Sequence, residues 1–351
     1  GAEYADSANV GMQDLVAALR WVNANIAAFG GDSGNVMIFG ESGGGGKVTT
    51  LMFAPSAKAL FHKAAIQSST APRLQSQADT QLIAARLLAE LGLSASEAGQ
   101  LKTMRYERLI DAANAAVRKI NASRPAGALP VAWWPSRDAR FLPMDPESPE
   151  IRALAAGVPM LIGSNKFEFM ASFDPAIRNA SREAIVERLR ARIGPRTDAY
   201  LAEYARVYPQ DSRPDDWIDL DTMFRGWALD SARWKLAAAT APVYMYHFAW
   251  RSPILDGNMK VGHTAEIAFV FDNMDRARQR TGGGAAAQKL STQMSRAWVQ
   301  FARTGSSNHK GLPAWPAYTR DGGATMVFDD VSKVVNHHDA KLLELLAAPA
   351  R

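Results

Sequence analysis

Apolar residues fall into two recurring patterns along this chain. Over residues 12–29 they recur at helical spacing, at Leu15, Val16, Leu19, Val22, Ile26 and Phe29, and Gly30-Gly31 stops the run. That predicts an amphipathic helix. Elsewhere short continuous apolar runs are bounded by glycine or turn residues, at 35–39, 63–67, 158–162 and 243–250. Runs of this kind predict strands buried on both faces. Helical periodicity returns over 75–91, 101–120, 288–302 and 341–346, and 324–328 reads as a further short strand. Residues 178–239 read as mostly helical, interrupted at Pro195, Pro209 and Pro214. The glycine-rich stretch 40–46 is expected to break the chain before a helix over 47–53. Helix, strand, helix, strand, helix in succession predicts an α/β fold, a mostly parallel sheet with helices on its faces.

Composition narrows the class. The chain has 351 residues, 47% hydrophobic and 21% charged, which excludes disorder, collagen and coiled coil and fits one large domain. The absence of cysteine excludes thiol nucleophiles, cysteine-ligated zinc and internal disulfides. No stretch reaches the roughly 18 consecutive apolar residues of a membrane span, and Gly1 to Val10 lacks the basic and apolar regions of a leader. Lys plus Arg exceeds Asp plus Glu by only 40 to 35, and the charges are interspersed, so solubility rather than nucleic-acid binding is the expected consequence.

The strongest chemical signal is Gly40-Glu41-Ser42-Gly43-Gly44, a G-x-S-x-G pentapeptide between a buried strand and a helix. In that setting a serine sits on a strained turn with its hydroxyl exposed, and glycines on both sides are expected to remove clashing Cβ atoms. The backbone N–H of Gly43 would then be one oxyanion donor. Lys47 invites a phosphate-loop reading, but Glu41 and Val48 stand where that motif needs Gly and Ser or Thr. A serine nucleophile needs a base and an orienting acid, in the order Ser, acid, His for this fold type. Of six histidines, His263 lies in a loop beyond a strand, whereas His62, His247, His309, His337 and His338 read as structural or solvated. Glu168 follows the 158–162 strand; Asp174 and Asp221 compete with it on order alone. The His337-His338 pair has no further clustered ligands, so no metal site is expected. Glu41, Trp133, Trp134, Phe169, Trp227 and Phe269 are candidates to line a substrate pocket.

These residues resemble the type B carboxylesterases of the cholinesterase and carboxylesterase/lipase superfamily, which have an α/β-hydrolase fold. The similarity covers most of the chain. Gly11-Met12-Gln13-Asp14, Ala18 to Val22, Phe29 to Asp32 and Phe39 to Gly44 resemble the family's nucleophile region. Gly163-Ser164-Asn165 to Glu168 resembles its acid loop, Gly262 to Ile267 with Phe269-Val270-Phe271 its histidine motif, and Trp298 to Gly305 with Trp315 to Tyr318 its closing signature. The resemblance implies a serine esterase with Ser42 as nucleophile, Glu168 as acid and His263 as base, acting on small-molecule esters without a cofactor.

It also implies helical cap or insert segments at about 75–130 and 175–240 of a single domain. Leu15 replaces a usual Gln, Ser33 a usual Pro and Gly43 a usual Ala. The family's long N-terminal region, with its first strands and a His-Gly-Gly-Gly-like oxyanion loop, has no match here. The chain therefore resembles the last two thirds of such a domain, with the missing N-terminal segment as its expected partner. Alone it is expected to be weakly active, since each oxyanion donor is worth roughly 10²–10³ in rate. The resemblance slightly favours a secreted or periplasmic setting. Two other readings stay open on the same fold: a non-catalytic binding or adhesion module, and an amide- or carbamate-directed hydrolase. The positive charge mildly favours esters of acidic molecules.

Overall fold

The structure is a computed structural model that describes residues 4, 7–125 and 128–347. Part of the leader reading of Gly1 to Val10, and residues 126–127 of the first insert, lie outside the described residues. Among the described residues six strands form one sheet in which spatial order follows chain order: β1 Met37–Glu41, β2 Lys63–Gln67, β3 Met160–Asn165, β4 Val243–Phe248, β5 Ala324–Phe328 and β6 Lys333–Asn336. β1 to β5 run parallel, and β6 closes one edge antiparallel to β5. This is the mostly parallel α/β architecture that the alternation of strands and helices predicts. β2 to β5 are buried along their whole length, as strands covered on both faces are. Among the described residues β1 has a neighbouring strand on one side only, and Phe39 is 50% exposed there.

Successive strand residues point to opposite faces and build two cores. Ala64, Ile66, Met160, Ile162, Val243 and Met245 face a core completed by α1 (Val10–Asn25) and α2 (Gly43–Met52) through Met12, Val16, Val48, Leu51 and Met52. Ala65, Leu161, Tyr244, Tyr246 and Phe248 face the other, which the helix Ala285–Thr304 completes with Leu290, Met294, Trp298 and Phe301. α3 (Gln77–Leu91), N-capped by Ser76, packs Leu87 and Leu91 against Ala112, Ala113 and Ala116 of α4 (Tyr106–Ala122). Within 178–239 the helices Arg182–Ile193 and Thr197–Val207 share a further core with the last helix, Ala340–Leu346. Among the described residues no helix is long and apolar enough to cross a membrane.

Three local expectations are corrected, and one strand is unanticipated. The glycine stretch does not break the chain: α2 begins at Gly43, immediately after Ser42, so the strand-to-helix turn is one residue long. β1 runs two residues later than the 35–39 reading, because Asn35 is held in the preceding turn by a hydrogen bond to Asp32 O. β3 runs on through Gly163 to Asn165, since a Cβ at Gly163 would come within 2.4 Å of Tyr246 and only glycine lets the strand pass. β6 is short, partly exposed and polar at its ends, and carries no buried-run signal.

Candidate active site

The site grows from the end of β1. Glu41 is the last residue of the strand and Ser42 turns into α2 with φ 56° and ψ −122°, in the positive-φ region that an L-residue occupies only under constraint. The constraint is visible on both sides. Ser42 N–H donates to Gln67 O of β2 at 2.9 Å, and Gly46 N–H donates to Ser42 O at 3.1 Å. A Cβ on Gly40 would stand 2.4 Å from the Gly44 carbonyl carbon, and one on Gly45 would stand 2.6 Å from Ser69 Cβ. The downstream clearance therefore falls on Gly45 and not on Gly44, whose Cβ would meet nothing within 4 Å. As the first residue of α2, Gly43 carries one of the N–H groups that the helix itself leaves unbonded.

Two loops bring the other groups. Glu168 follows β3 and His263 lies between β4 and the helix Ala285–Thr304, and His263 Nδ1 is 2.7 Å from Glu168 Oε2. The main chains are tied as well, His263 N–H donating to Glu168 O at 3.1 Å. Glu168 is buried, and its Oε1 accepts from Ser68 Oγ at 2.7 Å and Asn165 N at 2.8 Å. Burial pushes the Glu168 carboxyl up to about 7, against the pull of its hydrogen bonds from His263, Ser68 and Asn165. Burial alone would lower the His263 pKa, but the hydrogen bond and charge of Glu168, with Glu41 and Glu266 behind them, raise it.

The second nitrogen of the imidazole faces Glu41, with Nε2 3.4 Å from Oε1. Ser42 Oγ has no hydrogen bond among the described residues. Contacts of this kind commonly tighten only when substrate is bound. Burial and the charge of Glu266 push Glu41 up to about 7, while His263 pulls the other way. Glu266 is itself buried and accepts from Gln67 Nε2 at 2.9 Å and Asn165 Nδ2 at 2.8 Å. Phe224 stacks on the His263 ring at 4.9 Å and Phe169 lies 4.7 Å from it. Arg280 donates to His263 O and Thr264 Oγ1, both at 2.8 Å.

The structure separates the acid candidates. Asp174 accepts from Ala176 N and Asp221 from Met223 N and Arg225 N, so both cap helix starts, and Glu168 is the one bonded to His263. The other histidines have local tasks: His62 accepts from Val36 N–H, His247 meets Tyr208 OH, and His309 and His337 bond backbone carbonyls. His338 is buried at 7% exposure, which makes it structural and not solvated. Of the pocket candidates, Phe169 and Glu41 stand at the imidazole, Trp227 packs on Phe224 at 5.3 Å, and Trp133 and Trp134 line a separate cavity that reaches Gly43. Phe269 is fully buried against Phe248 and Trp250 and belongs to the core instead. Sequence reasoning assigned no role to Ser68 and Phe224, which reach the site from distant segments, nor to Glu266 and Arg280, which follow His263 along the chain. Among the described residues no group of three or more His, Asp or Glu could hold a metal ion.

A serine on a strand-to-helix elbow, with a His–Glu pair carried on the loops after later strands of a parallel sheet, defines the α/β-hydrolase class. The chain belongs to the carboxylesterase family, which it matches over residues 5–343. It is 31% identical to the para-nitrobenzyl esterase of Bacillus subtilis over 341 residues, covering 96% of this chain and 67% of that protein. It is 29% identical to the phenmedipham hydrolase of Pseudarthrobacter oxydans, covering 92% of this chain and 65% of the relative. Among solved structures it resembles an esterase from Clostridium hathewayi that hydrolyses aliphatic aromatic polyesters, with TM-score 0.82 and 38% identity over 99% of this chain and 68% of that one. The chain thus spans about two thirds of the length of these relatives.

Proposed function

We propose that this chain carries the catalytic groups of a carboxylic-ester hydrolase that works through an acyl-enzyme on Ser42. Ser42 Oγ attacks the ester carbonyl carbon while His263 Nε2 takes its proton, and the alcohol leaves with that proton as the tetrahedral intermediate collapses. Water, deprotonated by the same nitrogen, then releases the acid and frees Ser42. Glu168 holds the Nδ1–H tautomer and stabilises the imidazolium. Gly43 N–H is one donor to the carbonyl oxygen as it gains charge.

The observation that carries this reading is the strained Ser42 elbow at the same C-terminal end of the parallel strands as a histidine already bonded to a buried glutamate at 2.7 Å. Intact Ser, His and Glu speak against a non-catalytic module. The test is a fluorophosphonate probe on the protein as isolated, with the adduct located by mass spectrometry. The adduct is expected on Ser42, and Ser42→Ala should abolish both labelling and ester turnover, a loss of about 10³-fold or more in rate. Labelling that survives Ser42→Ala would discard the assignment.

A further inference from the structure

A cavity of about 430 Å³, the size of a small-ligand site, opens beside the elbow, with Gly43, Trp133 and Trp134 among the residues of its wall. Its lining holds two cations, Lys47 and Arg73, and no Asp or Glu among the described residues. The half-buried Arg73 lays its guanidinium over the Trp134 ring at 3.7 Å. Among the described residues no carboxylate pairs with it and no acceptor takes its N–H groups. Elsewhere this protein satisfies inward-facing arginines, as Asp339 does for Arg225 through two oxygens. Lys47, by contrast, already donates to Gly43 O at 3.2 Å.

We propose that Arg73, held flat by Trp134, makes this cavity a subsite for a carboxylate, so that the preferred substrates are half-esters of dicarboxylic acids. The proposal rests on the esterase reading and names its substrate class. A guanidinium fixed by a ring beneath it presents a planar fork of donors that matches a carboxylate with two parallel hydrogen bonds, and little side-chain freedom is lost on binding. A concave wall whose described residues include cations and no carboxylate concentrates potential favourable to such a group. Because Gly43 follows the nucleophile directly, an acyl chain whose far end reaches Arg73 leads back toward Ser42. The aromatic walls leave room for the methylene or ring spacer between its two carboxyl ends.

The experiment uses the Ser42→Ala chain, which binds without turning over, and compares monomethyl adipate with dimethyl adipate by calorimetry. The half-ester should bind about tenfold or more tightly than the diester, as expected for a charge-assisted bidentate contact. Raising the salt concentration should weaken the half-ester alone, a check that needs no change at position 73. Arg73→Gln should bring the ratio of the two affinities near one, and Arg73→Lys should restore part of it. A ratio near one with Arg73 present, a ratio untouched by Arg73→Gln, or an equal loss in Lys47→Gln would each overturn the proposal. The outcome is independent of hydrolysis. A half-ester preference without a probe adduct on Ser42 would keep the subsite and discard the esterase reading, and an adduct with no preference would do the reverse.

Discussion

His263 stands among three carboxylates, bonded to Glu168, facing Glu41, and within the field of Glu266. Their summed charge favours the imidazolium and outweighs burial, so the pKa lies above the ordinary histidine value. A general base must be neutral to accept the serine proton, so kcat/KM for a neutral ester should rise with pH through that raised value. Glu41→Gln takes away one negative charge and leaves the shape of the side chain. The midpoint of the pH–rate profile should then move to lower pH, with the same movement in an NMR titration of the His263 ring. A midpoint that stays put or moves upward would show that Glu41 does not act on the imidazole. The pairing of Glu168 with His263 was half legible in the sequence: chain order left Asp174 and Asp221 in contention, and only their helix-capping bonds remove them. Ser68 gave no signal, because it meets Glu168 across the sheet, 100 residues away along the chain; Glu266 lies within the 262–267 motif, but nothing in the sequence marks its carboxylate as one that buries against Asn165 and Gln67.

The turn between β1 and α2 depends on backbone clearance at particular glycines. Gly40→Ala would drive a methyl group into the Gly44 main chain, which cannot swing aside, and Gly45→Ala would drive one against Ser69. Each should cost roughly 1–3 kcal/mol, as overpacking does, and should also disturb the Ser42 geometry. Gly44→Ala meets open space on a helix and should instead be neutral or stabilise by about 0.5–1 kcal/mol. Denaturant unfolding of the three variants checks the order; a Gly44→Ala as damaging as Gly40→Ala would refute it. The contrast explains what the sequence could not supply. Four consecutive glycines read as a chain breaker on propensity alone, yet they form the first turn of α2; close approach of β1, Ser69 and the helix requires bare backbone at Gly45 of that run and at Gly40 of β1. Strands β2 and β5 were legible to the residue, since each carries a short apolar run, Ala64 to Ile66 and Met326 to Phe328, of the kind that strands buried on both faces leave. Edge strand β6, paired on one side only, leaves none.

Three distant parts of the chain are joined behind the sheet by buried charge. Arg225, from the helix Met223–Leu236, grips Asp339, just before the final helix, through Nε and Nη2 at 2.8 Å each. His247 of β4 and His338 are buried beside this pair, with ring centroids 5.5 Å apart. Burial lowers the pKa of both rings, His338 to about 4 and His247 well below its ordinary value, so both are neutral in the folded protein near neutral pH. The unfolded chain would take up protons on them near pH 6.5. A folded pKa below the unfolded one means that their contribution to stability is complete above about pH 6.5 and is lost as the pH falls toward the folded value. Glu41 and Glu168, raised to about 7, act in the opposite sense, because the folded state holds their protons more tightly as the pH falls from 7. The net curve therefore hides the histidines, and a difference between two proteins exposes them. His338→Phe keeps a ring against Tyr208, which His338 meets edge-on at 5.4 Å, and cannot titrate. Between pH 6.5 and pH 5 the unaltered protein should lose roughly 2 kcal/mol more stability than the variant, about 1.4 kcal/mol for each unit of pH over which only the unfolded state binds the proton. Thermal unfolding at pH 7.5, 6.5 and 5.0 measures it: parallel curves for the two proteins would mean that His338 is protonated without cost in the folded state, and the buried joint would then have to open before the rest of the molecule.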